Sequence, residues 1–166
     1  MSDFLTDYTA YMRKLATQHR KLLHTPEDPH FFRGELQEFF NRLRSDVNFP
    51  CLIAESSEVT YHGSANNPVK KRTASFIVAD RYDQHDDYTE IQSQMSLCEN
   101  IAEEVLGRMI KDKNSPFRQI EFDQTEGQYI QNEQERYVGY RITFTATDPI
   151  CLFNNNAWRN NAEDNI

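Results

Sequence analysis

Over residues 87–112, apolar side chains recur at Ile91, Met95, Cys98, Ile101, Val105 and Met109, every step being three or four residues long. That spacing places all six on one stripe of an α-helix. Such a helix is longer than most in globular domains, and its stripe must be covered by the rest of the chain. Asp87 stands where an N-cap belongs, and Asn114-Ser115-Pro116 ends the pattern.

The covering surface is expected to be a sheet. In residues 137–147, Val138, Tyr140, Ile142, Phe144 and Ala146 alternate with Gly139, Arg141, Thr143, Thr145 and Thr147. A period of two marks a strand with one buried and one polar face. Residues 51–62 and 69–81 read as an antiparallel hairpin around the turn cluster Gly63-Ser64-Ala65-Asn66-Asn67-Pro68. Residues 117–129 read as a further strand around Ile120 and Phe122.

Two helices are predicted ahead of the hairpin. The first, over residues 3–24, carries Phe4, Leu5, Tyr8, Tyr11, Met12, Leu15, His19, Leu22 and Leu23 on one stripe. The segment Thr25-Pro26-Glu27-Asp28-Pro29 breaks it, and a second follows over residues 30–45 with Phe31, Phe32, Leu36, Phe39, Phe40 and Leu43. The order α-α-β-β-α-β-β predicts an α+β fold, an antiparallel sheet of about four strands packed by helices on one face. The exposed face should carry the Thr and Arg series of the last strand. Residues 1–158 are read as a single domain and 159–166 as a disordered tail. Phe39, Phe40, Ile101, Val105, Ile142 and Phe144 are the expected core.

Charge limits the functions open to such a domain. The chain has 166 residues, 26 acidic against 18 basic, for a net charge of −8. That balance argues against general phosphate-backbone binding and against adsorption to an anionic membrane. The longest uncharged apolar run, Phe49 to Ala54, falls far short of the roughly 20 residues of a spanning helix. Ser-Asp-Phe-Leu-Thr-Asp after Met1 has neither the basic nor the apolar region of a signal peptide. A soluble, cytoplasmic protein is expected. Cys51, Cys98 and Cys151 lie far apart without Cys-x-x-Cys spacing, and read as buried thiols in a reducing compartment.

The chemistry-bearing residues form few patterns. Asp80, Asp83, His85, Asp86 and Asp87 make the densest acidic cluster. It lacks the Asp-x-Asp-x-Asp-Gly order of a calcium loop and reads as the cap of the third helix, not as a cation site. His19, His24, His30, His62 and His85 form no His-Glu-x-x-His motif. Cys98 falls on a buried helical face and makes a poor nucleophile; Cys51, beside Pro50, is only the least implausible one. Lys70-Lys71-Arg72 reads as the solvated edge of a strand. Gly107 and Gly139, inside a helix and a strand, suggest close backbone approach. No catalytic, cofactor or metal residues are assigned. No enzymatic activity is expected, and no cofactor.

Tyr137-Val138-Gly139-Tyr140-Arg141-Ile142-Thr143-Phe144, followed by Asp148-Pro149 and Trp158, resembles the closing strand of phage tail-terminator and tail-completion proteins of the head–tail connector region. The return strand Arg72-Thr73-Ala74-Ser75-Phe76-Ile77-Val78 and the helix after it fit the same pattern, so the resemblance spans residues 33–158. It implies a structural subunit of a phage-like tail or related injection particle, forming a ring, commonly hexameric, that caps or completes the tail tube without enzymatic activity. The implied partners are further copies of the chain and a tail-tube or neck protein, with no specific nucleic-acid binding and no membrane. The first helix lies outside this segment. Its stripe either folds back on its own domain or clasps a neighbour, and Phe4, Leu5, Tyr8, Tyr11 and Met12 are the candidate self-assembly interface. The alternative is a small enzyme or ligand-binding α+β domain with a pocket between sheet and helices.

Overall fold

A computed structural model describes residues 4–38, 47–64, 66–83, 87–113, 115–117 and 119–149. The elements follow as α1 (Phe4–Gln18), β1 (Phe31–Arg33), β2 (Cys51–Ser64), β3 (Asn67–Arg81), α2 (Tyr88–Lys111), β4 (Ile120–Asn132) and β5 (Tyr137–Pro149). A further helical stretch begins at Leu36 and passes out of the described residues. The strands form one five-stranded sheet in the order β1-β2-β3-β5-β4. β1 runs parallel to β2, and the other neighbours are antiparallel. The fold is α+β, as expected, but the sheet is mixed.

Local chemistry accounts for the long helix. The Asp87 carboxylate accepts the backbone N–H groups of Thr89 and Glu90 at 3.0 Å each, satisfying donors the first turn leaves open. Arg108 and Lys111 occupy the last turn, where cations suit the helix dipole. The predicted stripe is buried at Ile91, Cys98, Ile101, Val105 and Met109, and Met95 packs at its margin. It lies on the face of the sheet formed by Leu52, Ala54, Ala74, Phe76, Val78, Ile142, Phe144 and Ala146. Ile101, Val105, Ile142 and Phe144 are thus core residues, whereas Phe39 and Phe40 lie outside the described residues.

The opposite face is covered over only part of its length. There Cys51, Ile53, Ile77, Ala79 and Tyr137 form a smaller core with Phe32, Leu36, Val47, Phe49 and Ile130. Gly139 on this face meets the expectation of close approach, since a Cβ would sit 2.9 Å from the Val78 carbonyl oxygen. At Gly107 nothing lies within 4 Å, so that expectation is corrected.

Three further expectations need correction. Phe31 and Phe32 belong to a strand, not to a helix over residues 30–45. They pair with Leu52 and Ile53, and Gly34 then takes φ +154, with its Cβ position 2.7 Å from the Phe32 ring. Any side chain there would be strained, so the helix starts only beyond it. α1 ends at Gln18 rather than at residue 24, because the chain reverses through Leu23 at φ +49. Leu22 stays buried while Leu23 faces solvent. Finally, Lys70-Lys71-Arg72 is not on a sheet edge, since β3 pairs with β2 on one side and β5 on the other. Arg72 is buried, its guanidinium 3.3 Å from the centroid of the Phe4 ring.

Candidate functional site

The half of the open sheet face that the smaller core leaves uncovered is polar. Alternation in β3 and β5 puts Thr73, Ser75, Thr143 and Thr145 there, opposite the buried Ala74, Phe76, Ile142 and Phe144. The hydroxyls meet across the strands, Thr73 with Thr145 at 3.2 Å and Ser75 with Thr143 at 2.9 Å. They are engaged with one another rather than with a base. Next to them Arg141 donates to both carboxylate oxygens of Glu55, from Nε at 2.9 Å and from Nη2 at 2.7 Å. Glu55 falls on this face by alternation after Cys51 and Ile53, just where the register of β2 shifts between Ala54 and Ser57.

Other carboxylates frame this surface. Glu35 accepts the Ser56 N–H at 3.0 Å, and hydrogen bonds from the Ser56 side chain first and then from that N–H hold its carboxyl below the usual range. Glu121 takes the Thr147 hydroxyl and, at 3.2 Å, the Lys71 ammonium, and both lower its pKa, the hydroxyl more. Between Glu35, Glu55, Glu58, Ser75, Arg141 and Thr143 lies an open trough of about 380 Å³. Within it Glu55 is paired with Arg141, and Ser75 with Thr143.

The β4 edge continues this polar region. Among the described residues β4 pairs only with β5, and it carries a wide bulge between Glu121 and Glu126, where a single β5 residue, Phe144, is passed. Phe122 in the bulge is 71% exposed and Tyr129 beyond it 51%. The Tyr129 hydroxyl donates to Glu99 of α2 at 2.6 Å, and that bond is the main reason its pKa is pushed up to about 12.

The sequence-predicted interface residues lie elsewhere. Tyr8, Tyr11 and Met12 are buried within their own chain, and Phe4 packs beside them, stacked with Tyr8 and edge-on to Phe117. Tyr8 donates to the Ser75 carbonyl at 3.1 Å and meets Phe117 edge-on at 5.5 Å. Tyr11 donates to Asp112, just past the end of α2, at 3.4 Å. The helix therefore folds back on its own domain, which leaves these three side chains no area for a neighbour. The side chain of Leu5 lies outside the described residues.

The acidic cluster is dispersed. Asp87 caps α2, and Asp83 gives its N–H to Glu90 at 3.1 Å. Asp80 is buried at the sheet end, and burial raises its carboxyl pKa. His85 and Asp86 lie outside the described residues. Among the described residues no three His, Cys, Asp or Glu side chains gather to hold a metal ion. Cys51 is fully buried and its thiol is pushed well up by that burial, which disfavours the reactive thiolate; burial likewise raises Cys98 to about 12. His19, expected on the packing stripe, sits at its rim and meets Glu104 of α2 at 2.8 Å. Cys151 and Trp158 lie outside the described residues.

Sequence reasoning missed Glu55 and Arg141. The available signal is that Glu55 interrupts the apolar run ending at Ala54, and that Arg141 stands alone in a row of threonines. The sequence matches no protein-family model and no curated protein.

Proposed function

We propose that the chain is a structural subunit of a phage-like tail or related injection particle, a ring-forming protein that caps or completes the tail tube and catalyses no reaction. The observation that carries this reading is the incompleteness of the sheet. Among the described residues, β4 has no strand on its outer side, and β1 covers β2 only at Leu52, Ile53 and Ala54. Open edges of that length invite pairing with another chain, and half of one face is left for contact. The element order after β1 and the closing-strand pattern of residues 137–144 agree with the resemblance. A net charge of −8 suits a ring through which DNA passes without being gripped.

Light scattering and negative-stain microscopy on the full chain test the proposal. A closed ring of several copies is expected, either alone or after mixing with a phage tail-tube or neck protein. A particle that stays monomeric in both conditions overturns it.

The trough over Glu55 and Arg141 favours a second reading, a ligand-binding domain, although it lies on the face away from α1 and α2. A thermal-shift screen of amines and sugars separates the two. A saturable rise in Tm favours the ligand domain, and none is expected for the ring subunit.

A further inference from the structure

Among the described residues, the outer edge of β4 combines a row of open main-chain groups with charge of one sign. From Glu126 to Asn132 the strand pairs residue by residue with β5, so its other side presents N–H and C=O groups in regular order. Natural sheets blunt such edges, most often with lysine. β4 contains no Lys or Arg, and instead holds Glu121, Asp123 and Glu126. Glu99 and Glu103 of α2 flank it on the helix side, both acting on the Tyr129 hydroxyl. The nearby cations are engaged, with Lys71 on Glu121, Arg141 on Glu55 and Arg136 on the Asp83 carbonyl.

We propose that the β4 edge over residues 126–132 is a docking site for an extended, lysine- or arginine-bearing segment of a partner protein, which adds to the sheet as a sixth strand. This rests on the reading of the chain as an assembly subunit and gives its partner a chemistry. Main-chain hydrogen bonds hold the added strand. Its side chains alternate between the faces, so basic residues reach Glu99 and Glu103 on one side or Glu126 on the other. Tyr129, half exposed, offers an apolar surface to a neighbouring side chain of the guest. A second copy pairing through the same edge would set these carboxylates against their own kind, so charge complementarity selects a basic partner.

The probe is an acetylated peptide of about eight residues alternating lysine and valine, a common strand length. It is added to the full chain at low salt while amide hydrogen exchange is followed, with a glutamate–valine peptide as control. Exchange at outward amides of residues 126–132 is expected to slow about tenfold near saturation. The effect should fade with added salt and vanish in the double variant Glu103→Lys, Glu126→Lys, whose fold is checked by circular dichroism.

Protection elsewhere, equal protection by the glutamate peptide, or no protection at all overturns the proposal. So does full protection of these amides before peptide is added, which would mean that the chain itself or a second copy fills the edge. Light scattering on the same samples reports ring formation separately. A monomer whose edge is protected keeps the docking site and loses the ring; a ring with an inert edge does the reverse.

Discussion

Arg141 of β5 reaches across β3 to bind Glu55 of β2 through two hydrogen bonds, at 2.9 and 2.7 Å. The planar guanidinium matches the carboxylate, and the pair ties together two strands that share no backbone hydrogen bond. Only 7% of the Glu55 side chain is exposed, against 28% for Arg141.

Arg141→Met should therefore cost more than a surface ion pair is worth, because it strands a buried carboxylate. The loss is expected to be about 1–3 kcal/mol, less than for a fully buried pair because Arg141 is partly solvated. Adding Glu55→Gln should recover much of it. Urea unfolding midpoints of the three proteins check this, and full additivity of the two changes would contradict coupling.

A chain beginning at Glu27 should fail to unfold cooperatively. It would lack Tyr8, Tyr11, Met12, Leu15 and Leu22, all buried on the sheet and α2. Each large apolar side chain is worth about 1.5–3 kcal/mol of burial, and a domain's whole stability is only about 5–15 kcal/mol. A sharp melting transition in that shortened chain would show that α1 is dispensable.

Asp80 should make the protein less stable at neutral pH than at mildly acid pH. Burial raises its folded pKa above that of the unfolded chain, so the folded state holds this proton more tightly. The stability it contributes is present below the unfolded pKa, about 4, and is lost as pH rises through the folded value. Asp80→Asn, which still accepts the Arg81 N–H, should raise Tm at pH 7 and leave it unchanged near pH 3. An equal gain at both pH values would assign the effect to packing.

Two of the three thiols should resist alkylation until the chain unfolds. Cys51 and Cys98 are buried and their thiols are held protonated, whereas the reacting species is the thiolate. Peptide mapping after iodoacetamide at pH 8 identifies the labelled positions. Fast labelling of Cys51 in the folded protein would restore it as a candidate nucleophile.

The elements readable from sequence are those whose signal is local. α2 lies within a residue of its expected bounds, because Asp87 supplies its own cap and the stripe repeats without a break. β5 follows from strict alternation. β1 was not readable in this way. Phe31 and Phe32 fit a helical stripe as well as a strand, and their extended state depends on pairing with Leu52 and Ile53. Gly34 was the one local warning. The polar trough was half legible, since the Thr row of β5 was expected to face outward, while the partner of Arg141 lies 86 residues away.

The amino-acid sequence by itself determined the α+β class, the long capped helix, the hairpin and the face each β5 residue shows, since periodicity and caps act within a few residues. Tertiary structure alone decided that β3 is interior, that β4 is an edge, that α1 covers its own sheet, and that Glu55 meets Arg141. Periodicity records that a side chain is buried, not what buries it. Strand order and partner choice come from long-range packing, where one apolar stripe or one carboxylate can be satisfied by several surfaces until the whole chain is arranged.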